Sequence, residues 1–190
     1  MAEDDRQLVL RCRDMHEEAY QELMHRYEGY VYRLCYNFAG NREDALDLVQ
    51  EAFIRVFKGL ETYQLNRAFK PWLRRITVNT CISFLEKRTP PSLYIDQPSA
   101  DGTTLGDILA SSRDPAQEFE WKETGRIMKE ALNRLSHIYR LLIILRHQED
   151  LSYQEIADET NMPLGTVKTY LFRARAALRK EMSGYYAWGE

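Results

Sequence analysis

Apolar residues recur at spacings of three and four along almost the whole chain, and this pattern breaks once, between residues 89 and 117. That spacing is the period of an α-helix, whose apolar stripe has to be buried against a neighbour. No strand-like alternation survives for six residues, so the expected fold class is all-α. The interruption holds four of the six prolines (Pro90, Pro91, Pro98, Pro115) together with Gly102, Gly106 and several serines and threonines. Such a composition neither continues a helix nor encloses a core; it suits a tether. Two small helical domains joined by a flexible linker follow, at residues 1–88 and 118–183, with the linker at 89–117 and an aromatic tail of unassigned role at 184–190.

Charge is segregated in the same way. A net charge of -3 argues against a protein that coats nucleic acid indiscriminately. Locally, however, residues 67–88 hold six basic side chains against one acid, and residues 168–181 hold five against one. Residues 91–118 carry five acids against Arg113 alone. Two basic lobes are thus joined by an acidic link. Cys12, Cys35 and Cys81 lie more than 20 residues apart, which writes neither a disulfide framework nor a CxxC metal knuckle. Cys35 and Cys81 are expected in cores. His16, His25, His137 and His147 have no metal-ligand spacing, so neither a metal site nor a cofactor is expected. The N-terminus, MAEDDRQLVLRCRD, lacks the apolar core of a signal peptide, and no run approaches the roughly 20 apolar residues of a membrane span. A cytoplasmic location without membrane insertion is the expectation.

In the first domain, residues 17–38 read as a helix with Ala19, Leu23, Tyr27, Tyr30, Val31 and Leu34 inward, ended by Gly40. Asn41 stands at an N-cap position, with Glu43 and Asp44 in the positive first turn of a helix running to about Lys58. Its stripe is Ala45, Leu48, Val49, Ala52, Phe53 and Val56. Pro71 suits the first turn of a third helix through Leu85, with Leu73, Ile76, Thr80 and Phe84 on one side.

The clearest local signal is LSYQEIADETNMPLGTVKTYLFRARAAL, residues 151–178, which has the pattern of a helix-turn-helix. Ser152 and Glu155 form a capping box that starts the first helix at Tyr153, and Ile156 and Ala157 face inward. Asn161 falls where the turn needs left-handed backbone, and Pro163 suits the start of the second helix. Val167, Leu171, Ala174 and Leu178 give that helix its apolar face. Gly165, Lys168, Thr169, Phe172 and Arg173 project from the other side. Lys168 and Arg173 can bond phosphate or guanine edges, Phe172 can meet a thymine methyl, and glycine lets backbone approach phosphate. Arg175, Arg179 and Lys180 read equally as solvated charges or phosphate contacts.

Taken together, the two lobes resemble extracytoplasmic-function sigma factors over nearly the whole chain. NREDALDLVQEAFIRVFKGLETY (41–63) is similar to conserved region 2.2, FKPWLRRITVNTCISFLEKR (69–88) to regions 2.3 and 2.4, and residues 151–178 to region 4.2. The resemblance implies a region 2 bundle of three to four helices and a region 4 helix-turn-helix domain. It implies a sigma factor that binds core RNA polymerase, at the beta-prime coiled coil and the beta flap, and directs promoter recognition and transcription initiation. Promoter DNA is then a partner, and an anti-sigma factor another.

On this reading Asp47, Gln50, Glu51 and Ile54 lie away from the core stripe and offer a carboxylate edge to the polymerase. Arg74, Arg75, Asn79, Ser83, Lys87 and Arg88 take up the unwound minus-10 strand, with Asn79 the preferred base reader and an internal helix-capping role as its alternative. Gly165, Thr166, Lys168, Thr169, Phe172, Arg173 and Arg175 read the minus-35 element. Trp72 could stack on a base, although its place beside Leu73 and near Ile76 favours core packing; Phe69 and Tyr63 share the ambiguity. The linker could thread toward the polymerase cleft or serve as a plain tether.

Two other classes compete. A helix-turn-helix regulator acting without polymerase would bind palindromic duplex, and the 69–88 motif argues against it. An enzyme would need a nucleophile in a catalytic setting, and none is seen.

Overall fold

The computed structural model describes residues 4–88 and 115–186, which form eight α-helices, one 3-10 turn and, among the described residues, no strand. The linker as far as residue 114, the tail from residue 187 and the side chains of Arg88, of residues 115–124 and of residues 184–186 lie outside the described residues. The chain divides into two compact units, one carrying the first four helices and the other the last four. No helix among the described residues is long and apolar enough to cross a membrane.

The first unit is built from α1 (Asp5–Arg13), α2 (Glu17–Ala39), α3 (Arg42–Gly59) and α4 (Phe69–Arg88), with a 3-10 turn at Leu60–Thr62. Helix α1 was not expected from sequence; it buries only Leu8, Val9 and Cys12. Polar bonds fasten it. The Asp5 carboxylate accepts from Arg26 Nη1 at 2.9 Å and from the Tyr27 hydroxyl at 2.5 Å, both on α2. At its other end the Arg13 guanidinium donates to the Leu60 carbonyl at 2.7 and 2.9 Å and to the carbonyl of Tyr63. Burial, then the bond to Asp5, pushes the Tyr27 phenol far above its ordinary value, so it remains a donor.

The turns form as their residues require. Gly40 takes φ 79°, where a β-carbon would be strained, and its amide closes α2 on the Tyr36 carbonyl. The Asn41 side chain then accepts from the Asp44 amide at 2.9 Å and caps α3. Ala45, Leu48, Ala52, Phe53 and Val56 are buried as a stripe, and Val49 sits at its edge.

Helix α4 begins two residues before Pro71 and continues three beyond Leu85. Its buried face differs from the expected stripe: Leu73 and Thr80 are buried together with Thr77, Val78, Cys81 and Leu85, whereas Ile76 and Phe84 are only partly buried, because α4 packs against more than one neighbouring helix. Thr77 and Thr80 can be buried because their hydroxyls donate to the carbonyls four residues back, at 2.9 and 2.8 Å. Trp72 packs in an aromatic cluster with Tyr63 (5.0 Å between centroids) and Phe69 (5.4 Å), as the core-packing alternative requires. Gly59 admits it: a β-carbon there would lie 3.2 Å from Trp72 Cζ2.

The second unit comprises α5 (Pro115–Arg134), α6 (His137–His147), α7 (Tyr153–Thr160) and α8 (Leu164–Tyr186). Helix α6 is its central element, with Ile138 and Leu141 through Leu145 all buried. Ala131 of α5 and Leu135 just after it pack on Leu178 and Met182 of α8. Arg140 is only 3% exposed. Its guanidinium donates to the carbonyls of Leu132, Asn133 and Leu135 at 2.8, 2.6 and 3.3 Å, serving the carbonyl end of α5 and the residue after it.

Candidate polymerase and promoter interfaces

The geometry of α8 follows from what fixes its start. The Ser152 amide donates to Glu155 Oε2 at 2.8 Å and the Glu155 amide to Ser152 Oγ at 3.2 Å, the reciprocal capping box that sets the first turn of α7. Asn161 takes φ 56°, the left-handed conformation expected of it, and α8 begins one residue after Pro163. Val167, Leu171, Ala174 and Leu178 are all buried, so the inner side is fully used. Lys168, Thr169 and Phe172 are left exposed, Phe172 by 45%, while Thr166, Arg173 and Arg175 are partly exposed.

An aromatic ring so exposed stands out on a helix whose Val167, Leu171, Leu178 and Met182 are buried, and suits contact with a partner. Gly165 is exposed, and a β-carbon there would meet nothing within 4 Å, so no internal contact demands glycine. The Thr169 hydroxyl donates to the Gly165 carbonyl at 2.9 Å, leaving it as an acceptor toward any partner. The first turn of α8 holds no acid, so its positive end stays uncompensated beside Lys168. Arg175 approaches His147; partial burial, then Arg146 and Arg175, push that imidazole below its ordinary value.

On the first unit, Asp47, Gln50, Glu51 and Ile54 are exposed along α3, Ile54 by 47%. The structure adds residues that the sequence reading did not include. Gln50 and Ile54 border a groove of about 310 Å³ between α2 and α3, whose walls also contain Met24, Glu28, Val49, Phe53 and Phe57. Met24, itself 42% exposed, was a legible signal: it is a large apolar residue outside the inward set of Ala19, Leu23, Tyr27 and Tyr30 expected for α2. The carboxylate edge is less free than expected. Glu51 Oε1 accepts from Arg55 Nε at 2.7 Å, and Arg55 Nη1 reaches across to Ser83 Oγ at 3.4 Å.

On α4, Arg75 and Lys87 are exposed, and Arg74, Asn79 and Ser83 are partly exposed. Asn79 makes no side-chain hydrogen bond to any described residue. Lys70, at the start of the helix, lies 4.7 Å from the Tyr30 ring centroid. Among the described residues no group of His, Cys, Asp and Glu is arranged to hold a metal.

Comparison with known proteins gives these surfaces their setting. The family Sigma-70 region 2 matches residues 23–90, and Sigma-70, region 4 matches residues 125–178. The ECF RNA polymerase sigma factor SigW of Bacillus subtilis is 34% identical over 169 residues, covering 87% of this chain and 90% of that protein. The ECF RNA polymerase sigma-E factor of Escherichia coli is 34% identical over 176 residues, covering 92% of each. Among solved structures, the sigma factor RpoE of Bartonella quintana, in complex with the anti-sigma factor NepR, superposes with a TM-score of 0.57 at 22% identity, covering 86% of this chain and 96% of that one. CnrH, in complex with the cytosolic domain of CnrY, gives 0.56 at 22% identity, covering 95% and 97%. At that identity the two structures speak for the fold, whereas the sequence relatives span both units with their order preserved. The chain belongs to the ECF RNA polymerase sigma factors.

Proposed function

We propose that α3 docks on core RNA polymerase, that α4 takes the unwound minus-10 strand, and that α8 enters the major groove of the minus-35 element. The chain is a sigma factor that directs promoter recognition and initiation, a binding subunit with no catalysis of its own; action without polymerase is not favoured. The observation that carries the assignment of surfaces is the outward side of α8. Its inner positions are consumed by the core while Gly165, Lys168, Thr169 and Phe172 remain exposed. A helix so divided suits a groove, with cations for phosphate and guanine and a ring for the thymine methyl.

On the first unit, Asp47 and Glu51 offer carboxylates beside the apolar groove, which suits a basic partner helix such as the beta-prime coiled coil. Asn79, with no described partner of its own, supports a base-reading role, and Arg74, Arg75, Lys87 and Arg88 supply cations along the same helix. We assign the beta flap to the second unit, residues 89–117 to a tether between the domains, and the cytoplasm as the site of action. An anti-sigma factor that competes for these surfaces is the expected regulator.

The experiment is titration of core polymerase with labelled protein at several salt concentrations. Asp47→Lys combined with Glu51→Lys should weaken association while helix content stays unchanged, and the defect should grow as salt falls, because screening is then least. Binding unaltered at every salt concentration would remove α3 as the docking surface.

A further inference from the structure

The seam between α3 and α4 gathers four side chains that the separate surfaces leave apart. Arg55 donates its Nε to Glu51 Oε1 at 2.7 Å and extends Nη1 to Ser83 Oγ at 3.4 Å. Arg55 is 34% exposed and Glu51 48%, so the pair lies open to solvent. Lys87, exposed one turn beyond Ser83 on α4, and Lys58 on α3 are close enough to act on the same carboxylate. The bond to Arg55 first, then the charges of Arg55, Lys87 and Lys58, hold the Glu51 carboxyl below its ordinary value, so it is an anion at neutral pH. One carboxylate thus serves several cations, one of which, Arg55, reaches a hydroxyl on the helix assigned to the promoter strand.

We propose that Arg55, Lys87 and Ser83 form a seat for a backbone phosphate of single-stranded DNA, occupied in the free protein by the Glu51 carboxylate. The ligand class follows from the donors. A guanidinium bonded to a hydroxyl, with an exposed ammonium one turn further along α4, suits the acceptor oxygens of a phosphate, and a carboxylate is the internal group that imitates it. The seat rests on the reading of α4 as the strand-binding helix. It deepens that reading, because Glu51 belongs to the surface assigned to polymerase. A polymerase cation that draws Glu51 away releases the seat, and by reciprocity strand binding at the seat frees Glu51 for polymerase. Docking and strand capture are then coupled through one ion pair, and the free protein has a weakened grip on single strands.

The test is fluorescence anisotropy of the full-length protein with a labelled oligo-dT of about ten nucleotides, within the usual site sizes for single-strand binding, across a salt series. Phosphate contacts are independent of sequence, so the probe needs no promoter. Glu51→Gln should bind several-fold more tightly than wild type at low salt, with the slope of log affinity against log salt steeper by about 0.7 for each phosphate gained. Glu43→Gln removes one charge from the exposed start of the same helix and controls for net charge. The double variant Glu51→Gln with Arg55→Ala should lose the gain.

Equal gains for Glu51→Gln and Glu43→Gln, or a gain that survives Arg55→Ala, would overturn the seat. Arg75→Ala separates this from the broader reading. If it weakens the probe while Glu51→Gln changes nothing, α4 stands and the seat falls. If Arg75→Ala has no effect, or no variant binds at low salt, both fall.

Discussion

The two surfaces proposed to face the promoter are prepared in opposite ways. On α8 the outward residues are left exposed: Phe172 stands in solvent, Lys168 is exposed, and Gly165 has open space where a side chain would be. On the first unit three outward residues at the seam of α3 and α4 are tied to one another, Glu51 to Arg55 and Arg55 to Ser83. A cleared surface can dock as it stands, with little reorganisation. A self-satisfied surface must exchange partners, so its affinity depends on what arrives. The contrast suits the tasks proposed for them: duplex DNA offers a fixed shape, whereas an unwound strand exists only once polymerase has opened it.

The largest expected effect separates the units themselves. Val167 is wholly buried in the inner stripe of α8. Val167→Asp places an unpaired charge there, at a cost of about 3–5 kcal/mol, comparable to much of a small domain's stability. Thermal unfolding followed by circular dichroism should show the transition of α5–α8 lost or moved well down and that of α1–α4 retained. Loss of both together would show that the units do not fold independently.

A smaller effect sharpens the idea of a cleared surface. Gly165→Ala adds a methyl group into open space on a helix, which should stabilise the second unit by at most about 1 kcal/mol, since alanine is the better helix former. The same methyl group would stand between the backbone and an approaching phosphate. The melting temperature of the unit should therefore hold or rise while holoenzyme affinity for minus-35 duplex falls. Full affinity in a stabilised variant would mean that the backbone of α8 does not approach DNA at this point.

Much of this was legible in the sequence where local chemistry and the helical period agree. The Ser152–Glu155 box, Asn161 and the Val167–Leu178 stripe fix the helix-turn-helix because each acts within a few residues. Gly40 and Asn41 do the same for the break between α2 and α3. Helix α1 was missed because nine residues with three buried positions give a weak period, and its anchors, Asp5 to α2 and Arg13 to the turn after α3, are distant in sequence. Arg140 was missed for a related reason: a basic residue within an apolar run reads as an outward position until the carbonyl end of α5 is placed beside it. The Glu51–Arg55 pair was available at its spacing of four. It was passed over because sorting residues by face counts which side they occupy and not whether they neutralise each other.

The central claim is that one chain supplies core polymerase with two separate elements of promoter recognition, and sequencing of transcript starts tests it most directly. Core polymerase would be incubated with a library of randomised promoter DNA, with and without the protein, and the 5′ ends read out. The account predicts transcripts that depend on the protein and share two sequence blocks. Arg173→Ala and Phe172→Ala should relax the upstream block and Asn79→Ala one position of the downstream block, each by about 1–3 kcal/mol of discrimination. Transcripts independent of the protein, or blocks unchanged by these substitutions in folded, polymerase-bound variants, would contradict it.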